Sequence, residues 1–346
     1  MLGEQLRLGT TAGATVGIAR AGQLAFARGY GDADRERAIA ASEATRYRVG
    51  SITSQFTAAG ILRLAERKAL AVDDTLARYV PEYRHAGAIT LRQLLNQSSG
   101  ISPKTTEAFT GVFAATTPGA VIARLNGFEL DSPPGARFEN AHVNYYLLGV
   151  VLERVAATPY GNFVQEEIAG PLGLPDTYLD GTRPASAVAA AYNADAAGLS
   201  PVEPWNVDFT FSSGGFVSTV ADLLRWNAAL RSNRFLSAAS WGTMTAVPGS
   251  SSSSDYAMGL VVNRKGDAVR IWHNGRAGGA HAMNAQYRDV DYDVVVLANT
   301  NGSAGIVPED LANMIVGYLA PQCAFADKPP TAPRASPRAN RGHRHF

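Results

Sequence analysis

The chain has 346 residues, of which 46% are hydrophobic, and its 31 Lys and Arg residues nearly balance 30 Asp and Glu residues. A chain of this length and composition can bury a large core, so we expect a globular protein. The near-neutral charge, spread along the sequence, excludes the electrostatic footprint of a nucleic-acid-binding or membrane-surface protein, so we expect neither partner.

The predicted elements alternate between a strand-rich start, a helical middle and a strand-rich end. Residues 14–31 carry two β-prone runs around Arg-Ala-Gly-Gln, which predicts an antiparallel hairpin. Helical periodicity follows, and further strand candidates appear near the C-terminus. The predicted helices cover 56–67, 91–96 and 144–155, and the later strands cover 256–262, 269–272 and 283–299. We therefore predict one sheet built from both chain ends, about 12–48 and 256–300, with a helical region inserted between them and a cleft where they meet.

Residues 1–320 are predicted to form this domain, and residues 321–346 a disordered tail rich in Pro and Arg. His343 and His345 in that tail are interpreted as solvated residues rather than a metal site. Cys323 has no second cysteine to pair with. The first residues lack the pattern of a secretory signal, and no run reaches the roughly 20 apolar residues of a membrane helix. The expectation is a soluble protein, either cytoplasmic or exported with its signal removed.

Several separated stretches resemble one family, the serine β-lactamases and penicillin-binding proteins. They occur in the family's order from about residue 12 to residue 320. The stretches are Tyr-Arg-Val-Gly-Ser-Ile-Thr (47–53), Ile-Thr-Leu-Arg-Gln-Leu-Leu-Asn-Gln-Ser-Ser-Gly-Ile (89–101), Pro-Pro-Gly-Ala-Arg-Phe-Glu (133–139), Pro-Leu-Gly-Leu-Pro-Asp-Thr (171–177), Gly-Gly-Phe-Val-Ser-Thr-Val-Ala-Asp-Leu (214–223) and Trp-His-Asn-Gly (272–275).

The resemblance implies an α+β fold of the β-lactamase/transpeptidase type, with an antiparallel sheet, flanking helices and an active site between the sheet and a helical region. It also implies a nucleophilic Ser, here Ser51, with a Lys one helical turn later and a Tyr-x-Asn motif that handle its proton. A Lys/His-Thr/Ser-Gly strand, here His273-Asn274-Gly275, completes the pocket, and the backbone N–H groups of Ser51 and Arg276 form the oxyanion hole. Members of this family need no metal and no organic cofactor.

Two motifs depart from the family at the residues that move protons. Ser54 stands where the Lys is expected, and Asn140-Ala141-His142 stands where Tyr-x-Asn is expected. A Ser hydroxyl is a poor nucleophile without a base in hydrogen-bond reach, and a hydroxyl at position 54 cannot replace a Lys. The usual mechanism should therefore be severely impaired, by ~10⁴ to 10⁶ in turnover, while the oxyanion hole remains.

Three readings of the site remain open. In the first, His142 acts as the general base for Ser51, since a neutral imidazole suits that role; alternatively it only hydrogen-bonds across the cleft. In the second, the protein is a catalytically silent pseudo-hydrolase that binds a ligand. In the third, His142, His273 and His281 hold a metal or carry a different proton-transfer reaction, although their spacing matches no short ligand motif.

The remaining assignments concern the pocket walls. His281 is either a second His near the pocket or a solvent-facing loop residue, and His273 is either a pocket group or an ordinary strand residue. Tyr145 is interpreted as core. The predicted ligand is a small ester, amide or D-amino-acid peptide. The residues predicted to bind it are Asn274, Gly275, Arg276 and His281. The predicted catalytic positions are Ser51, Ser54, Asn140, His142 and His273. Nothing in the sequence specifies the oligomeric state.

Overall fold

A computed structural model describes residues 2–108, 115–249 and 255–326. Thirteen strands and eleven α-helices occur in these ranges. The strands are β1 (Gly13–Arg20), β2 (Gln23–Asp34), β3 (Ile39–Ala40), β4 (Tyr47–Arg48), β5 (Tyr178–Leu179), β6 (Tyr192–Asp195), β7 (Gly198–Pro201), β8 (Phe216–Ser218), β9 (Val261–Lys265), β10 (Ala268–Ala277), β11 (Ala280–Tyr287), β12 (Tyr292–Ala298) and β13 (Thr300–Asn301). The helices are α1 (Leu2–Arg7), α2 (Thr53–Glu66), α3 (Leu91–Leu95), α4 (Pro118–Leu125), α5 (His142–Ala156), α6 (Tyr160–Val164), α7 (Gly170–Leu172), α8 (Val207–Gly214), α9 (Val220–Arg231), α10 (Ala238–Met244) and α11 (Pro308–Leu319).

The main sheet joins the two ends of the chain, as the sequence predicts. Its seven antiparallel strands follow the order β3-β2-β1-β12-β11-β10-β9. The contact between the two halves is the pairing of β1 with β12, in which Val16 lies opposite Val296. The predicted α+β fold of the β-lactamase/transpeptidase type is confirmed.

The two faces of the sheet pack against different helices because side chains alternate along each strand. Val295 and Leu297 of β12 belong to the larger core, which contains α2, α5 and α9. Their neighbours Val294 and Val296 face the opposite way, into a smaller core with α11. The α2 and α5 helices are buried around most of their circumference, as expected of helices enclosed within a domain.

Three details differ from the sequence prediction. The strand predicted over 283–299 is an antiparallel pair, β11 and β12, and Asp291 in the turn between them has a positive φ of 59°. Strand β4, placed in the main sheet by the prediction, instead pairs with β8 in a separate three-stranded sheet. Residues 321–326, assigned to the tail, pack on the domain through buried Cys323 and Phe325. Residues 327–346 lie outside the described ranges.

None of the helices within the described ranges combines the length and apolar character needed to cross a bilayer.

Candidate active site

Ser51 lies in the tight turn Gly50–Ile52 that leads directly into α2. Gly50 has a φ of +53°, and a Cβ there would lie 2.5 Å from the Arg276 backbone N. On the facing strand, a Cβ on Gly275 would lie 1.9 Å from the Val49 carbonyl oxygen and 3.0 Å from the Ser51 nitrogen. Two glycines therefore allow the turn and β10 to approach each other. This contact fixes Ser51 at the positive end of α2, beside the Gly275–Arg276 segment of β10.

A polar cleft of about 280 Å³ opens at Ser51, between α2, α5 and β10. Its lining within the described ranges is Ser51, Ser54, Gln97, Pro103, Thr106, Asn140, His142, Tyr145, Ser213, Tyr256, His273 and Asn274. The structure thus brings together Ser51, Ser54, Asn140, His142 and His273, although 222 positions separate the first from the last. Within the described ranges, the Ser51 hydroxyl makes no hydrogen bond.

Ser54 and Asn140, which replace the expected Lys and Tyr, are both tied into the cleft wall. Ser54 is 4% exposed, and its hydroxyl donates to the Ser213 carbonyl oxygen at 3.4 Å. The Asn140 side-chain oxygen accepts a hydrogen bond from the Gln97 amide at 3.2 Å. A hydroxyl and an amide bind and orient groups, but neither accepts a proton at neutral pH.

His142 is the first residue of α5 and is held by neighbours on α8. Its Nε2 lies 2.7 Å from the Phe209 carbonyl oxygen, and its Nδ1 lies 2.8 Å from the Ser213 hydroxyl. The ring also stacks on Phe209 at 4.6 Å between centroids. Burial lowers the pKa of His142 to about 4, although the hydrogen bond to Phe209 opposes that shift. The imidazole is therefore neutral at pH 7. Its Nε2–H donates to the Phe209 carbonyl, and its Nδ1 competes with the Thr210 carbonyl oxygen, at 2.7 Å, for the single proton of the Ser213 hydroxyl.

His273 forms the opposite wall, on β10, and is 7% exposed. Its Nδ1 lies 2.5 Å from the Asn274 carbonyl oxygen, and its Nε2 lies 3.4 Å from the Tyr256 hydroxyl. Burial lowers the pKa of His273 to about 4, against the effect of the Asn274 carbonyl. His273 is therefore a neutral wall residue of the cleft.

The two tyrosines of the cleft are fully protonated groups. Tyr145 is 1% exposed, which agrees with its interpretation as core, and its hydroxyl donates to the Leu95 carbonyl oxygen at 2.8 Å. Burial raises the pKa of Tyr145 and of Tyr256 well above the ordinary tyrosine value. Neither phenol therefore replaces the missing Tyr as a proton acceptor at neutral pH.

The structure places His281 away from the cleft, contrary to both sequence interpretations of this residue. It lies within β11, is 2% exposed, and its Nε2 is 3.1 Å from the Glu309 carboxylate of α11. The side-chain amide of Asn274 also donates to Glu309, at 2.5 Å. Asn274 nevertheless lines the cleft. The Arg276 side chain is exposed. Of the residues predicted to bind a ligand, Asn274 lines the cleft, whereas His281 and Arg276 are not among its lining residues within the described ranges.

Sequence reasoning missed four residues that shape the site: Gln97, Phe209, Ser213 and Tyr256. Gln97 and Ser213 lie in or beside stretches that carry the family resemblance, and a closer comparison of those stretches would have found them. Phe209 acts through its backbone carbonyl and its ring, for which no spacing signal exists. The pKa of Glu309 is lowered: burial acts to raise it, but hydrogen bonds from His281 and Asn274 outweigh that effect.

A metal centre gains no support from this geometry. No group of three His, Cys, Asp or Glu side chains suited to a metal ion occurs in the part of the chain that the structure describes.

Comparison with known proteins gives a consistent result. The sequence profile of the Beta-lactamase family matches residues 4–318. The protein flp of Staphylococcus aureus (strain MW2) is 27% identical over 310 residues, which are 86% of this chain and 61% of flp. This chain therefore spans only about three fifths of that curated relative.

Two solved structures share the fold over most of the chain. The octameric penicillin-binding protein homologue from Pyrococcus abyssi superposes with a TM-score of 0.79 at 25% identity, covering 92% of this chain and 75% of that protein. A D-stereospecific amidohydrolase from Streptomyces sp. gives a TM-score of 0.72 at 26% identity, covering 86% of this chain and 92% of that protein.

Proposed function

Because this chain belongs to the β-lactamase family, we propose that it is a slow serine hydrolase in which Ser51 forms an acyl-enzyme with a small ester, amide or D-amino-acid peptide. The observation that carries the proposal is the placement of Ser51. Its hydroxyl is uncommitted within the described ranges, faces the cleft and lies at the positive end of α2 beside β10. The D-stereospecific action of the Streptomyces relative supports a D-amino-acid amide as one candidate substrate.

The proposed reaction begins when the Ser51 oxygen attacks the carbonyl carbon of the substrate. The negative charge that develops on the carbonyl oxygen is stabilised by the Ser51 and Arg276 N–H groups, as in the family. The Ser51 proton passes through water to His142 Nδ1. The tetrahedral intermediate then collapses and expels the alcohol or amine, which takes up the proton held by His142. Water next attacks the carbonyl carbon of the acyl-enzyme and gives up a proton by the same route, and that proton returns to the Ser51 oxygen as the carboxylic acid product leaves. Preserved binding and an oxyanion hole alone give ~10³ to 10⁴ over the reaction in water, so a low but measurable turnover is expected.

A specific observation favours a second function, a binding protein without turnover. His142 is held by the Phe209 carbonyl, by Ser213 and by stacking, and its lowered pKa makes it a weaker base than an ordinary imidazole. Under this alternative the cleft keeps its shape and polar groups for recognition only.

Labelling with a fluorophosphonate, followed by intact-mass measurement from pH 3 to pH 9, separates the two functions. The hydrolase predicts one adduct, which peptide mapping places on Ser51 and which Ser51→Ala abolishes. If His142 accepts the proton, the labelling rate falls as the pH drops through about 4, where this imidazole becomes protonated, and stays flat above pH 5. A midpoint near pH 6.5 would instead indicate a solvated histidine.

The matched control is His142→Gln, which retains a side-chain amide at the same place but cannot accept a proton. Loss of the pH midpoint in this variant identifies His142 as the base. Absence of an adduct at every pH contradicts the hydrolase and supports the binding protein.

A further inference from the structure

We propose that this cleft rejects acyl compounds that carry a carboxylate beside the reacting carbonyl and favours compounds without that negative charge. The proposal rests on the proposed function, because it specifies the substrate class of the same site. The fold alone does not determine the charge of the substrate, since the same fold can carry a charged or an uncharged pocket.

The first observation is the chemical composition of the lining. Every lining residue within the described ranges is a hydroxyl, an amide, an imidazole, a phenol or a proline, and none is Lys, Arg, Asp or Glu. A ligand carboxylate would find no formal positive charge among these groups.

The second observation concerns the two imidazoles, which are the groups that could become cations. Both are neutral at pH 7, because burial lowers the pKa of His142 and of His273 to about 4. A neutral imidazole can donate a hydrogen bond, but the assigned partners of both rings are backbone carbonyls, those of Phe209 and Asn274. Neither ring supplies the charge that a desolvated carboxylate requires.

Two cations lie close in sequence to lining residues, Arg276 and Lys104, and neither is itself among the lining residues within the described ranges. Arg276 follows the same strand alternation as Asn274, whose side chain contacts Glu309 on α11, and the Arg276 side chain is exposed. Lys104 is exposed and lies in the Pro103–Ala108 turn, between the two lining residues Pro103 and Thr106. Lys104 is therefore the cation nearest to the cleft rim in sequence, and the test below includes it.

The ends of α2 and α5 add only partial charge. Both helices begin at the cleft without a side-chain cap hydrogen bond, so their first N–H groups direct partial positive charge towards it. About half a unit charge at each end suits an oxyanion that develops during the reaction. It does not replace the full solvation that a carboxylate loses on burial, which costs several kcal/mol when no cation pairs with it.

A pair of activated esters that differ by one methyl group tests the proposal. The p-nitrophenyl ester of monomethyl adipate is neutral, whereas p-nitrophenyl hydrogen adipate carries a carboxylate at pH 7 on a chain too long to form a cyclic anhydride readily. The rate measured with Ser51→Ala is subtracted from each. We expect the neutral ester to acylate Ser51 at least about tenfold faster, measured as p-nitrophenolate release and as the mass of the adduct. An equal rate, or a faster rate for the carboxylate ester, overturns the proposal.

Charge variants provide the controls. Thr106→Lys adds a cation at an exposed lining position, and His273→Lys adds one in the cleft wall. Either variant is expected to reduce the ratio of the acylation rate of the neutral ester to that of the carboxylate ester. Because Thr106 is exposed, Thr106→Lys still tests the proposal if His273→Lys fails to fold. Lys104→Ala should leave the preference unchanged; if the carboxylate ester reacts well in the wild type and loses that reaction in Lys104→Ala, Lys104 serves as the carboxylate site and the proposal is wrong.

Failure of the proposed function is distinguishable from failure of this inference. If neither ester acylates Ser51, the hydrolase is contradicted, and the two compounds are then compared as p-nitroanilides binding to Ser51→Ala by calorimetry. Tighter binding of the neutral anilide supports the uncharged cleft. An absent, equal or inverted preference overturns it.

Discussion

At the scale of single residues, both changed proton-handling positions are hydrogen-bonded to the cleft wall. Buried Ser54 donates to the Ser213 carbonyl, and the side-chain oxygen of exposed Asn140 accepts from Gln97. Because an unpaired buried donor or acceptor costs about 1–3 kcal/mol, such pairing keeps the cleft intact while its chemistry changes. We therefore expect the cleft wall still to accommodate the Lys and Tyr that the family carries at positions 54 and 140.

Restoring both proton handlers tests whether that frame still positions them. The double variant Ser54→Lys with Asn140→Tyr should raise ester hydrolysis by roughly 10² or more, the usual contribution of general acid–base catalysis. Each single variant should do much less, because such groups act as a unit. Steady-state hydrolysis of the neutral p-nitrophenyl ester measures the effect.

The matched control for that experiment is Ser54→Met with Asn140→Phe, which adds similar bulk without a proton acceptor. Unchanged hydrolysis in the restored variant, with Ser51 still labelled by fluorophosphonate, would contradict the view that only the proton handlers are missing.

At the scale of elements, the site depends on the contact between the Ser51 turn and β10. The strand approaches so closely that a Cβ on Gly275 would lie 1.9 Å from the Val49 carbonyl oxygen. The neighbouring atom belongs to the backbone, which cannot move aside as the end of a flexible side chain can. Position 275 therefore tolerates no side chain. The turn and the strand therefore move together, and the Ser51 and Arg276 N–H groups with them.

We expect Gly275→Ala to separate the turn from β10, lower the free energy of unfolding by about 2–3 kcal/mol and slow Ser51 labelling at least about tenfold. Gly242→Ala is the matched control, because Gly242 lies in α10 with no atom within 4 Å of an added Cβ. The control should be neutral or stabilising by up to about 1 kcal/mol. Denaturant unfolding and the labelling rate measure both; equal behaviour of the two variants would contradict the contact.

The element scale also shows what the sequence could predict. The β1–β2 hairpin, α2 and α5 follow from local periodicity, and family motifs locate Ser51 and His273. The orientation of side chains at the ends of strands could not be predicted, because it depends on pairing register and on what covers each face. His281 lies opposite Arg276 and faces Glu309, which is 28 positions away and gives no local signal. Residues 321–326 were likewise misjudged because their composition hides the packing of Cys323 and Phe325.

At the scale of the whole molecule, the sheet separates two polar sites. The cleft lies on the side of α2 and α5, whereas Glu309 of α11 holds His281 and Asn274 on the other side. Two consecutive residues of β10, His273 and Asn274, therefore serve opposite faces. The Glu309 carboxylate thus lies on the α11 side of the sheet, and the neutral imidazoles of His142 and His273 lie on the cleft side. The same two neutral imidazoles enter the proposal about carboxylate rejection and determine how the domain responds to acid.

Buried neutral histidines predict a loss of stability in mild acid. The folded pKa of His273 is about 4 and its ordinary value is 6.5, so the unfolded chain binds the proton more readily. Stability from this residue is complete above pH 6.5 and declines as the pH falls towards 4, by on the order of 3 kcal/mol at most. His142, whose pKa burial also lowers to about 4, acts in the same direction.

The measurement is denaturant unfolding of the wild type and His273→Gln between pH 7.5 and pH 4.5. Glu66, whose pKa is lowered to about 2 by hydrogen bonds despite partial burial, loses its contribution only below this window. Asp222 and Asp293, whose pKa values are raised by burial, act in the opposite direction in both proteins and cancel in the difference. The wild type should lose stability relative to His273→Gln as the pH falls. Parallel curves would show that His273 takes up its proton in the folded protein as easily as in the unfolded chain, and that the cleft can carry positive charge.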